Sequence, residues 1–103
     1  MATYEFQLAY TITPYHCENK AAQARKIIKG IDDWEVVGDI ETILVGEISF
    51  YCDGSNEDKR RKCKDVIKGK IKYTFRDHDV YDYTKSYFSL MVSGLGKHIT
   101  FTI

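Results

Sequence analysis

Two short stretches of this chain rhyme, and their spacing constrains the fold more than any other feature. Lys26-Ile27-Ile28-Lys29-Gly30 and Asp65-Val66-Ile67-Lys68-Gly69 each close a charged run with helical spacing. Strand-like segments precede them, Tyr4 to Ile12 in the first case and Thr42 to Cys52 in the second. Further apolar runs follow them, Trp34 to Val37 and Ile71 to Phe75. The chain therefore reads as strand-helix-strand written twice, a pattern that lays helices against a sheet.

Each element has a local physical cause. Tyr4, Phe6, Leu8, Tyr10 and Ile12 share one parity, and Glu5, Gln7, Thr11 and Thr13 the other, which predicts a half-buried strand. Thr13-Pro14 reads as an N-cap followed by proline at the first helical position. Cys17, Ala21, Ala24, Ile28 and Ile31 form an apolar stripe at three- and four-residue steps, with Gly30 as the stop. Gly38-Asp39 predicts a tight hairpin turn, preferred over Gly46-Glu47 because it keeps the next strand long. Ser55 and Asp58 have the spacing of a capping box. The helix that follows exposes Lys59, Arg60, Arg61, Lys62, Lys64 and Lys68 and buries Cys63, Val66 and Ile67. Ile71, Tyr73 and Phe75 alternate with Lys70, Lys72, Thr74 and Arg76, which predicts another half-buried strand. A hairpin from Tyr83 to Val92 and His98 to Ile103, turning at Ser93 to Gly96, closes the chain.

These elements predict an α+β domain over residues 1–103. Its core, residues 3–76, is a ferredoxin-like split βαβ (βαββαβ) sandwich, with two helices on one face of an antiparallel sheet. Residues 80–103 add a C-terminal hairpin. The first and third strands are expected as parallel neighbours at the centre. The opposite sheet face would carry Glu5, Gln7, Thr11, Lys70, Lys72 and Arg76. Eight Tyr, five Phe and one Trp in 103 residues suit such a sheet-rich core. Three cysteines, with neither a signal-peptide pattern nor a long apolar run, predict free thiols in the cytosol and no membrane span.

The formal net charge of zero conceals a segregation. Nine acidic residues and no base lie between Asp32 and Asp58, then nine bases and one acid between Lys59 and Arg76. Opposed potentials of this kind suit an electrostatically guided partner or head-to-tail self-association.

Several groups carry candidate chemistry. His16, Cys17, Cys52 and Asp53 would share one sheet edge, if the first and third strands ran parallel, and could hold zinc or an activated thiol there. Asp77, His78, Asp79 and Asp82 put carboxylates and an imidazole on one loop, a set suited to a divalent cation or acid-base work. Neither spacing matches an established metal or redox motif, so no cofactor and no catalytic residue is expected. Lys59, Arg60, Arg61, Lys62 and Lys64 suit phosphate contact, although the near-neutral pI of 6.8 is low for a dedicated nucleic-acid module. Tyr81, Tyr83 and Tyr87, with Phe88 and Met91, form the densest aromatic region and suit an interface.

In the order of its elements the chain resembles small ribonucleases of the CRISPR-associated kind and of the GhoS type. The Tyr4-to-Ile12 strand and the Ala21-to-Gly30 and Lys59-to-Gly69 helices carry that likeness. It implies a compact ferredoxin-like domain, often dimeric. The CRISPR-associated enzymes would have an aspartate at the end of the first strand, where this chain reads Thr11-Ile12-Thr13-Pro14. No catalytic residue is therefore carried over. ACT-type regulatory modules share the same topology.

The functional expectation is a non-enzymatic cytosolic regulatory or inhibitory protein that binds a macromolecule, in the manner of a phage-encoded inhibitor or an antitoxin. A protein partner is expected, held by the basic helix and the tyrosines, with homodimerisation through the C-terminal hairpin. The alternative is a nucleic-acid binder or small ribonuclease using the basic helix.

Overall fold

The computed structural model describes residues 2–15 and 18–103, with Glu41 described by its backbone alone. The fold is α+β. In chain order it comprises β1 (Ala2–Pro14), α1 (Glu18–Ile28), β2 (Glu35–Val37), β3 (Ile40–Phe50), α2 (Asn56–Asp77), a 3-10 turn (Tyr81–Tyr83), β4 (Thr84–Val92) and β5 (Ile99–Thr102). The five strands form one antiparallel sheet in the order β2-β3-β1-β4-β5. α1 links β1 to β2 across β3, and α2 links β3 to β4 across β1.

The period-two reading of the first strand holds. Phe6, Leu8, Tyr10 and Ile12 are buried and meet Ala21, Ala24 and Ile28 of α1 and Cys63, Ile67, Ile71 and Phe75 of α2 in one core. Both helices therefore lie on the same sheet face. Phe88 stacks on Phe101 at 4.8 Å and 12° and extends this core across β4 and β5. The hairpin turn falls at Gly38-Asp39 as expected, with Gly38 at a φ of 52°. The capping box is formed, with Ser55 Oγ accepting from the Asp58 amide and Asp58 accepting from the Ser55 amide.

The structure corrects five expectations. Thr13-Pro14 does not start a helix: both residues pair with β4, opposite Lys85 and Thr84, and α1 begins at Glu18. Ile71 to Phe75 is helical, because α2 continues through Gly69 to Asp77. Both readings bury Ile71 and Phe75, but Cys63, Ile67, Ile71 and Phe75 fall at four-residue steps, and that longer register prevails. Lys70, Lys72 and Arg76 accordingly lie on α2 rather than on the open sheet face.

β1 and β3 are antiparallel, with Ala2 opposite Phe50 and Ala9 opposite Ile43. The strand expected at residues 71–75 is replaced in the sheet by β4. This strand is no appendage, since it pairs with β1 from Phe6↔Val92 to Pro14↔Thr84 and buries Phe88, Leu90 and Val92. Finally, α1 ends at Ile28 without a left-handed Gly30. The positive φ falls instead on Asp32, at 45°.

Candidate docking surface

The sheet face opposite the helices is uncovered. Alternation brings Gln7, Ala9 and Thr11 of β1 onto it, beside Tyr87, Ser89 and Met91 of β4 and Ile43, Val45 and Glu47 of β3. Its middle is apolar: Ala9, Ile43 and Val45 are half-buried, while Tyr87 and Met91 are 47% and 51% exposed. Exposed methionine and tyrosine beside aliphatic side chains make an adaptable contact surface.

One end of this face is acidic. Glu5 stands directly opposite Glu47 across the β1–β3 ladder, and Glu35 lies beside Val45 on the outer strand. Asp32 and Asp33 approach from the α1–β2 connection, and together these five carboxylates line a shallow groove of about 1140 Å³. Lys70 Nζ pairs with Asp32 at 2.6 Å. Among the described residues, Asp33, Glu5, Glu35 and Glu47 have no ion-pair partner. Like charges placed directly across a ladder destabilise it by roughly 0.2–1 kcal/mol. Gly46, opposite Phe6, lets the Trp34 and Phe6 rings close against β3. A Cβ there would sit 2.7 Å from Trp34 Cδ1 and 3.2 Å from the Phe6 ring, which meet edge-to-face at 5.2 Å.

The basic helix lies on the other side of the molecule, and its expected binding residues divide. Arg60 is committed to the fold, its side chain 15% exposed. Its guanidinium donates to the carbonyl oxygens of Leu95 at 2.8 Å, Lys97, and His98 at 3.5 Å, and so pins the β4–β5 loop. Arg61 faces solvent 3.6 Å from Asp58, and Lys62 is exposed. Lys59 and Lys64 are half-buried along the margins of the helix. Tyr73, assigned to a strand by its alternation, stands on the outer face of α2 at 72% exposure.

The tyrosines also separate. Tyr87 alone of the three lies on the open sheet face. Tyr81 is half-buried beneath the Arg76 guanidinium, 4.6 Å from its ring centre, and Lys20 Nζ lies 5.3 Å from the Tyr83 ring. These cation–π contacts tie the turn after α2 to both helices.

The proposed Cys/His edge does not follow from an antiparallel sheet. Cys52 and Asp53 succeed β3 beside the start of β1, whereas Tyr15, at the far end of β1, bonds through its amide to Tyr83. A thirteen-residue strand at ~3.3 Å per residue separates those ends by roughly 40 Å. His16 and Cys17 themselves lie outside the described residues. Asp77 ends α2, the His78 ring sits 3.0 Å from the Thr74 carbonyl, and Asp79 reaches Lys20 at 3.9 Å. Among the described residues, no three His, Cys, Asp or Glu side chains gather as a metal-holding group. Burial pushes the Cys63 thiol up to about 11, so it stays protonated at neutral pH and acts as a core filler.

Among the described residues no helix is long and apolar enough to cross a membrane. No protein-family description, curated protein or solved structure matches the chain.

Proposed function

We propose that this protein is a non-catalytic regulatory or inhibitory protein of the cytosol that docks a protein partner on the uncovered face of its sheet. One observation carries the reading. Tyr87 and Met91 stand half-exposed at the centre of a sheet face that neither described helix covers, beside an acidic groove in which, among the described residues, four of the five carboxylates have no ion-pair partner. Exposed apolar patches rimmed by charge are the mark of an interaction surface. The reading treats the fold as ferredoxin-like: β4-β1-β3-β2 has the split strand order, and β5 widens the sheet beyond β4. In such a frame the helices carry the core and leave one sheet face for binding.

The test is a double substitution, Tyr87→Glu with Met91→Glu, in protein shown by circular dichroism to remain folded. Partner capture from a bacterial lysate should be lost, while Arg61→Glu with Lys62→Glu should retain it. Capture by the folded sheet-face variant at wild-type level would overturn the proposal.

A second reading rests on α2, where Arg61, Lys62 and the exposed Tyr73 ring offer phosphate contact and a stacking platform. Binding of single-stranded RNA at ~50 mM salt, lost in Arg61→Glu with Lys62→Glu, would support it. No binding under those conditions would eliminate it.

A further inference from the structure

Gly69 is a misfit within its own chain. It lies inside a 22-residue helix, where glycine is a poor helix former, and a Cβ built on it meets nothing within 4 Å. No packing inside the chain requires a bare backbone there. One turn later on the same outer face stands Tyr73, 72% exposed, with the cationic Arg76 beyond it and Lys62 two turns before Gly69. A position without a side chain, beside an exposed aromatic ring, with the exposed Asp65 one turn before it and the cations Lys62 and Arg76 two turns away on either side, permits close approach by another molecule.

The complement is on the other side of the same protein. The open sheet face has an acidic end at Glu5, Glu35 and Glu47 and an apolar centre at Tyr87 and Met91. The chain carries a formal net charge of zero, so no overall repulsion opposes association of copies whose charges are segregated. A helix layer is also the ordinary cover for an exposed sheet face.

We infer that a second copy of this chain docks the outer face of its α2, centred on Gly69 and Tyr73, onto the open sheet face. The bare backbone at Gly69 lets the helix approach, Tyr73 meets Met91, and the cations meet Glu5 and Glu47. The contact is head-to-tail, so a pair keeps one free helix face and one free sheet face and assembly continues beyond a dimer. The inference rests on the sheet face being a docking surface, and it names an occupant for that surface.

Sedimentation velocity on the full chain tests it. At ~50 mM salt the wild type should form concentration-dependent oligomers that dissociate at ~1 M, where screening is short-ranged. Glu5→Lys with Glu47→Lys should be monomeric, and so should Arg61→Glu with Lys62→Glu. Mixing these two variants should restore association, because each contact between unlike variants again joins opposite charges. Gly69→Gln should melt no lower than wild type yet associate at least tenfold more weakly, a combination that a purely structural glycine would not give. A wild type that stays monomeric at low salt overturns the inference, as do charge variants that assemble like wild type. If a monomeric protein still loses its lysate partner through Tyr87→Glu with Met91→Glu, the inference fails and the docking function stands. RNA binding by a monomeric wild type, lost in Arg61→Glu with Lys62→Glu, would assign the helix face to nucleic acid instead.

Discussion

The two rhyming segments have different fates. In the first, the helix ends at Ile28, just before Gly30, and the chain turns through a left-handed Asp32 toward Trp34. In the second, Gly69 is followed by two further helical turns. What differs is the sequence beyond the glycine. After Gly30, Ile31 and Trp34 are still buried, but the chain reaches them through a turn with Asp32 left-handed and not through further helix. After Gly69, Ile71 and Phe75 prolong the register of Cys63 and Ile67, and all four are fully buried. A glycine costs a helix about 1 kcal/mol, whereas burying a large apolar side chain gains roughly 1.5–3 kcal/mol. Burial of Ile71 and Phe75 in the helical register therefore carries α2 past its glycine.

That comparison can be broken most directly at Phe75. Phe75→Ala should destabilise the protein by roughly 3–5 kcal/mol in urea melts. A loss below about 1 kcal/mol would mean that the second half of α2 contributes little to the core. Proline at the two rhyming glycines should separate them next. Gly69→Pro should cost about 3 kcal/mol or more, because it breaks a helix interior. Gly30→Pro should cost about 1 kcal/mol, mainly the Gly30 amide bond to the Ile27 carbonyl. Equal losses would show that the two positions are equivalent after all. At the start of α2, Ser55→Ala removes the formed cap and should cost about 1 kcal/mol by the same measurement. Smallest of all, Gly69→Ala should raise stability by roughly 0.5–1 kcal/mol. A destabilising Gly69→Ala would reveal an intrachain role for the bare backbone.

The two faces of the sheet extend the lesson from folding to function. The covered face holds a continuous core from Phe6 through Phe88 to Phe101. The open face keeps Tyr87 and Met91 in solvent and sets Glu5 against Glu47 at a local cost. Conflict between local stability and composition is expected where a surface serves a partner.

Much of this was legible in the chain. Alternation from Tyr4 to Ile12 identified β1, Gly38-Asp39 the turn between β2 and β3, and Ser55 with Asp58 the start of α2. These signals are local, and period, turn chemistry and capping act within a few residues. The segment from Ile71 to Phe75 was ambiguous, because Ile71, Tyr73 and Phe75 fit a period of two while Ile67, Ile71 and Phe75 fit one of four. The four-residue chain back to Cys63 was the available signal. Arg60 and Lys62 are indistinguishable as neighbouring bases in the sequence, yet one pins the loop at Leu95 to His98 and the other faces water.

By itself, then, the sequence determined the α+β composition, the alternation of β1, the capping box of α2 and the segregation of charge. Tertiary structure alone decided that β4 and not residues 71–75 lies beside β1, and that β3 runs antiparallel to it. It also decided that the acidic residues share a face with Tyr87 and Met91 while the bases lie behind. The physical reason is that strand pairing and helix extension are settled by which apolar side chains can be buried together, and that depends on partners far away in the chain.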